Sequence, residues 1–292
     1  LDRGKISAME GGTRVPLIIT GPGIDAGVES DVVINGLDFY PTILTLTGTP
    51  VPAGKKFDGC DISKLLKEDP TDSGLVKVDD GSVRDSMLWH FPNSIALEST
   101  IRIGDYKLVR NYDHVDNAYV TELELYRLYQ TKNGKQVRVD IEEANNLAGA
   151  MPKKAKSMNA KLSGRLTEMK ASYPYYNPHF KDALANKETV PSIQSFAKNG
   201  DVVEFFYQEN GAKVVRAQLI YTLNGGGKVF DEEWFRKPAS LMPSSKISAT
   251  LPKGTTHYVI NLIDENNFLV SYPDVDKATR NKNASPTALS VK

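Results

Sequence analysis

The sequence predicts an α/β region followed by a separate all-β region. Three observations carry this. A short apolar run at 15–20 is closed by Gly21-Pro22-Gly23, as in a strand buried on both faces of an α/β sheet. Four β-rich segments between 87 and 128 are followed by apolar positions spaced three and four apart. From about 190 to 273, short strand segments alternate with Gly- and Asn-rich turns at the roughly 8–12 residue interval of a β-sandwich.

Composition bounds the function classes. The 292 residues suggest about two domains at about 150 residues each. With 36 Lys plus Arg against 36 Asp plus Glu, the chain has no net charge, which argues against a nucleic-acid polyelectrolyte binder. No run of about 18 apolar residues exists, so no membrane span is expected. The single cysteine, Cys60, excludes an intrachain disulfide and a thiolate metal cluster.

The elements follow in order. The chain begins Leu1-Asp2-Arg3-Gly4-Lys5 and reaches the apolar run at 15–20 with nothing earlier to pair with it, which reads as a start inside a domain. Val33, Leu37, Tyr40, Ile43, Leu44 and Leu46 then mark an amphipathic helix, bent or broken at Pro41 and stopped by Gly48 and Pro50. This strand and helix need partners upstream. Residues 49–84 read as a surface connection with a short helix near 62–66, and Asp79-Asp80 as a solvated turn.

A small antiparallel sheet is expected from 87–91, 99–103, 106–112 and 122–128, with hairpin turns at Gly104-Asp105 and Asn133-Gly134. A helix with Met151, Ala155, Met158, Leu162, Leu166, Met169 and Tyr173 on one face should cover it, ending at Tyr173-Pro174. In the second region strands are expected at 202–207, 214–223, 229–235, 247–251, 257–263 and 268–272, forming an Ig-like sandwich. The domain division is thus 1–84, 85–180 and 190–275, with a disordered tail at 276–292.

The most specific stretch is Gly4-Lys5, four residues, then Glu10-Gly11-Gly12-Thr13-Arg14-Val15-Pro16. It resembles the second signature of the formylglycine-dependent sulfatases of the alkaline phosphatase superfamily. Further segments occur in the family's order: Gly36-Leu37-Asp38-Phe39-Tyr40-Pro41-Thr42, Trp89-His90-Phe91-Pro92, and Arg102-Ile103-Gly104-Asp105-Tyr106-Lys107-Leu108. Glu124-Leu125-Tyr126 and Glu143-Ala144-Asn145-Asn146-Leu147-Ala148 complete the series, which covers about 1–172. The resemblance implies the C-terminal part of an alkaline-phosphatase-like α/β fold, and a secreted or periplasmic enzyme hydrolysing sulfate esters of a polysaccharide or oligosaccharide.

In such a family Lys5 is the catalytic residue: a sulfate ester develops negative charge as its S–O bond breaks, and a fixed ammonium favours that state. His90 is matched to a histidine at the rim of the cleft, and Asn93 stands where members often carry a second histidine, so both are assigned to substrate binding. Glu10 and Arg14 are expected to lock the Gly11-Gly12 turn, and His114, His179 and His257 to be structural. The formylglycine precursor, a Cys or Ser four residues before an Arg, does not occur in this sequence, and Cys60 cannot serve. The calcium that the resemblance implies would likewise take its ligands, and the formylglycine its precursor, from before Leu1, leaving no metal ligand in this chain and the chain by itself inactive.

Two other features point to glycans. Lys153, Lys154, Lys156, Lys161, Arg165 and Lys170 against Glu168 give the long helix a basic face suited to a sulfated polysaccharide. Tyr207, Trp234, Phe235 and Tyr258 could form aromatic sugar platforms in the sandwich. Two alternative functions are a phosphodiesterase or phosphonate hydrolase of the same superfamily, and a non-catalytic glycan-binding or packing module.

Overall fold

The computed structural model describes residues 4–67, 75, 81–93, 96–114, 119–132, 135–179, 184–227, 231–274 and 288–291. The chain divides into two compact units, Leu1–Pro174 and Tyr175–Lys292.

In the first unit a four-stranded antiparallel sheet forms from β1 (Met87–Phe91), β2 (Glu98–Ile103), β3 (Tyr106–Asn111) and β4 (Leu123–Arg127), in that spatial order. Each strand pairs with the next in sequence, so the sheet is a meander. Gly104 adopts a φ of 54° in the β2–β3 hairpin, where a side chain would strain the turn. A hairpin of β5 (Tyr129–Lys132) and β6 (Lys135–Arg138) comes next; the predicted Asn133-Gly134 turn between them lies outside the described residues.

Both faces of this sheet are covered. On one, Leu88, Ile101, Leu108 and Leu125 pack against Ala155, Met158, Leu162 and Leu166 of a 17-residue helix, α3 (Pro152–Glu168). Pro152 begins that helix where no backbone N–H is needed. The helix ends before the predicted Tyr173-Pro174 because Lys170 turns left-handed at a φ of 53°. On the other face Val109, Tyr126, Leu128 and Tyr129 pack with Met9.

The upstream elements differ from expectation. Residues 15–20 do not form a strand; Val15 and Ile18 are 77% and 87% exposed. A strand buried on both faces needs neighbouring strands, and no described element lies beside it. The helix is also shorter: a 3-10 turn at Gly36–Asp38 leads into α2 (Phe39–Leu46), with the short helix α1 (Glu10–Thr13) preceding both. Pro41 does not bend α2, since it sits in the first turn.

Leu37, Tyr40, Ile43 and Leu46 of the predicted apolar stripe face solvent, while Pro41, Thr42 and Leu44 are buried. A hydrogen-bonded post explains this choice. Asp38, fully buried, accepts from the Cys60 amide at 2.8 Å and from Arg84 Nη1 at 2.7 Å, and the Thr42 hydroxyl accepts from the Ile62 amide at 3.0 Å. The helix at 62–66 is a 3-10 turn, Ser63–Leu66, and Asp79-Asp80 lie outside the described residues.

The second unit is all β, as predicted, but the two separate sheets of an Ig-like sandwich do not form. One antiparallel sheet runs β13-β12-β9-β10-β11-β8-β7, with β14 also on β12. Its strands are β7 (Ser192–Asn199), β8 (Val202–Gln208), β9 (Val214–Thr222), β10 (Trp234–Met242), β11 (Lys246–Thr250), β12 (His257–Asp264), β13 (Leu269–Tyr272) and β14 (Leu289–Ser290).

The sheet curls at β10, whose residues 234–239 pair with β9 and 240–242 with β11. One strand thus serves two halves, the device by which packed sheets turn corners. Pro238 is tolerated because β10 has a partner on one side only at that point. The halves close on one apolar cluster: Val203 and Phe205 of β8 with Leu219 of β9, Ile247 of β11, and Tyr258, Ile260 and Leu262 of β12.

Tyr258 is therefore core and no sugar platform, Tyr207 packs against the same cluster, and Phe235 stacks on Tyr221 with ring centroids 5.4 Å apart. Strand β7 escapes the sequence pattern because Gln194, Ser195 and Lys198 obscure its alternation. The tail also differs where it is described: Leu289 and Ser290 pair with Tyr258 and His257.

Candidate active site

Lys5 lies exposed in a turn, and its ammonium has no partner among the described residues. Ser7, Ala8, Met9 and Glu10, just beyond it, are all buried. Ser7 Oγ donates to Glu98 Oε1 at 2.8 Å and the Ala8 amide donates to the same oxygen at 2.5 Å, while Glu98 is 1% exposed. Ser7 Oγ in turn accepts from the Met9 amide at 3.1 Å. One carboxylate at the start of β2 therefore fixes the two residues beside the lysine turn, through the charge-assisted bonds that are the stronger kind.

Gly12 closes the same turn. A Cβ there would lie 2.1 Å from the Ser7 carbonyl oxygen and 2.6 Å from that of Gly4. Both contacts are with backbone, so only glycine lets α1 approach the Lys5 turn this closely.

A buried ion cluster anchors α1. Lys107, the second residue of β3 and fully buried, places its Nζ 3.0 Å from Glu10 Oε1 and 2.9 Å from Glu143 Oε1. Glu143 Oε2 accepts from the Glu10 amide at 2.7 Å, Arg14 Nη1 lies 3.9 Å from Glu10 Oε2, and Arg14 also donates to the Tyr129 hydroxyl. Two carboxylates share one buried ammonium, so burial outweighs the attraction of Lys107 and pushes the Glu143 carboxyl above its ordinary range. Glu10 and Arg14 thus anchor α1, in which Gly11 and Gly12 are helical and do not form the expected turn.

His90 lies on the other face of the sheet, paired in register with Ser99. Its Nδ1 is 2.5 Å from Ser99 Oγ, its Nε2 is 2.7 Å from the Ser172 carbonyl oxygen, and Ser99 Oγ is 2.8 Å from the Tyr112 hydroxyl. A carbonyl only accepts, so Nε2 carries the proton. In the neutral ring Nδ1 accepts from Ser99, which accepts from Tyr112. Burial pushes the Tyr112 phenol up, consistent with its donor role. His90, Tyr112 and Tyr173 also meet edge to face, with centroids about 6 Å apart. With both nitrogens engaged, His90 is placed as a brace between β1 and the segment after α3. Asn93, two residues past β1, is exposed.

Lys5 and His90 therefore approach the sheet from opposite faces. The Glu98 end of β2 is common to both, since Ser7 bonds Glu98, Glu98 pairs with Phe91, and His90 and Asn93 flank that position. Glu98, Lys107, Glu143, Ser99 and Tyr112 were not singled out from sequence. Lys107 and Glu143 did lie inside the recognised segments, and a lysine flanked by apolar residues in a central strand was a usable signal.

The other histidines have local roles. His114 Nδ1 meets the Asn111 carbonyl at 2.9 Å, His179 Nε2 meets Asp274 at 3.1 Å, and the His257 ring lies against Gly225, whose Cβ would be 2.4 Å from Nδ1. Among the described residues no three His, Cys, Asp or Glu side chains converge to hold a metal ion. The donors among the described residues therefore do not by themselves fit the calcium that the resemblance implies. Cys60 is buried under Leu75, so its thiol is not placed to attack a substrate. No helix among the described residues is long and apolar enough to cross a membrane.

No family model matches the chain. It is similar to a sulfatase of Formosa agariphila, 30% identical over 176 residues, which is 56% of this chain and 28% of that protein. It is also similar to arylsulfatase G of Mus musculus, 41% identical over 63 residues (21% of this chain, 12% of that protein). Against human steryl-sulfatase it is 33% identical over 97 residues, 32% of this chain and 17% of that protein. The chain thus spans less than a third of the length of each of these relatives. The ordered segments around Lys5, His90, Lys107 and Glu143, together with these similarities, make the chain similar to the C-terminal region of sulfatases.

Proposed function

We propose that the chain supplies part of the active site of a secreted or periplasmic enzyme that hydrolyses sulfate esters on a sulfated polysaccharide or oligosaccharide. The observation that carries this is an exposed ammonium at Lys5 with no partner among the described residues, presented on a turn whose base is locked by Glu98, Gly12 and the Glu10–Lys107–Glu143 cluster. A charge held on a rigid base needs little reorganisation when it meets an anion, which is what electrostatic catalysis requires.

Cleavage of a sulfate ester moves negative charge onto the sulfuryl and bridging oxygens as the S–O bond breaks and an alcohol leaves. Lys5 offers three donors and a compact charge to those oxygens. The exposed Asn93 amide contacts sugar hydroxyls, and His90, its nitrogens already used, presents ring edge to the substrate while bracing β1. In the assembled enzyme a formylglycine would supply the nucleophile and calcium further charge; the part assigned to this chain is electrostatic and positional.

Titration of the 292-residue chain with an aryl sulfate and a sulfated monosaccharide, followed by backbone NMR, tests this. Shifts at residues 4–8 and 93 are expected, no sulfate release, and at least about tenfold weaker binding for Lys5→Ala, or roughly 1.4 kcal/mol. Equal binding by Lys5→Ala overturns the assignment, and sulfate release by the purified chain overturns the view that its part is not self-sufficient.

A further inference from the structure

We propose that the N-terminal half of α3 and the adjoining end of β4 form a polyanion-binding surface, separate from the Lys5 turn, whose partner is a sulfated polysaccharide chain. Residues 144–167 contain Lys153, Lys154, Lys156, Lys161 and Arg165 and no Asp or Glu. The structure divides these cations into two groups. Lys161 is paired with Asp85, and Arg165 Nη1 lies 3.8 Å from Glu168, so the far half of the helix is locally neutralised. Lys153 and Lys156 are exposed and Lys154 half-buried, and none has an acidic partner among the described residues.

Arg127 extends the patch. Lys154 Nζ sits 4.2 Å from the centroid of the Tyr106 ring, and the Arg127 guanidinium sits 5.6 Å from the same centroid. One aromatic ring thus gathers a helix cation and a strand cation into a single cluster. The nearest acid to Arg127, Asp105, lies 3.8 Å away, a loose pair worth little at the surface.

Helix stability does not explain this arrangement. Cations in the first turn oppose the helix dipole at a cost of about 0.3–1 kcal/mol each, and α3 has no acidic residue there to offset it. The covered face of α3 already holds it to the sheet through Ala155, Met158, Leu162 and Leu166, leaving the opposite face free to carry charge. Concentrated unpaired charge on a rigid element captures a polyanion by displacing its counterions. The choice of a sulfated polysaccharide over a nucleic acid rests on the sulfatase reading. Such a surface would hold a long substrate while the Lys5 turn acts on one of its esters.

The test uses the full chain with heparin, chemically desulfated heparin and duplex DNA as probes, with affinities measured across a salt series. For Lys153→Gln/Lys154→Gln/Lys156→Gln, heparin affinity at low salt should fall at least about tenfold, and the slope of log affinity against log salt should flatten by about two to three. Wild-type chain should bind desulfated heparin and DNA more weakly than heparin, and the neutralised Lys161→Gln should behave like wild type. Unchanged heparin binding by the triple variant, or a loss as large in Lys161→Gln, overturns the surface; DNA binding as tight as heparin overturns the partner. Lys5→Ala separates this from the proposed function. It should leave heparin binding intact while abolishing the small-ester shifts, so either proposal can fail alone.

Discussion

The first unit's sheet has a buried ion cluster on one face, whereas the second unit's curled sheet closes on Val203, Phe205, Leu219, Ile260, Leu262 and their apolar neighbours. Both interiors are buried, yet they are specified differently. An apolar cluster tolerates any residue of similar volume and gains its stability from area removed from water. Glu10, Lys107 and Glu143 gain little net energy, because desolvating three charges offsets much of their attraction. What they do is allow one docking of α1 on the sheet, and so one position for the Lys5 turn. The unit that bears the candidate site carries the costly interior.

The largest effect should come from breaking that cluster. Lys107→Met leaves Glu10 and Glu143 buried without a cation and should destabilise the first unit by about 4 kcal/mol, read by urea denaturation. Adding Glu10→Gln and Glu143→Gln should recover most of that loss while freeing the Lys5 turn, seen as faster amide exchange at Ser7 and Ala8. If the single variant alone is as stable as wild type, the contrast between the two interiors fails.

Leu219→Ala in the second unit should cost about 3 kcal/mol by cavity formation. Here no compensating substitution of charge should exist, and the amides of residues 7–10 should keep their exchange rates. A change at those amides would show that the two interiors are not independent.

The smallest effect concerns pH. Burial raises the Glu143 carboxyl, so the folded state holds its proton more tightly than the unfolded chain does. That contribution is complete below the ordinary glutamate value of about 4.3 and is lost as pH rises through the folded value. Glu143→Gln removes the titration, so its unfolding free energy should decline less than wild type over the same rise. An identical pH profile for both proteins would show that Glu143 is not the group responsible.

Much of the first unit's sheet was legible because each strand pairs with its neighbour in sequence, so alternation and turn residues contain the necessary information. The face of α3 was legible for the same reason, and so was the lysine turn, through its Gly-Lys and Glu-Gly-Gly segments. The apolar run at 15–20 shows the limit. Its composition is that of a buried strand, but a strand exists only where others accept its hydrogen bonds, and none of the described residues does so. The curl at β10 was equally hidden, since one unbroken run of residues changes partners halfway along.

The sequence by itself determined the order of strands and helix, the segments shared with the sulfatases, and lysine at position 5. Only the tertiary structure decided that Lys107 is a buried anchor, that Glu98 holds the lysine turn from 91 positions away, that His90 is a brace, and that Thr42 faces inward while Ile43 faces out. Periodicity reports which residues can share a face. Which faces meet is settled by contacts between residues distant in the chain, where a single buried carboxylate must find its partners or pay for solitude.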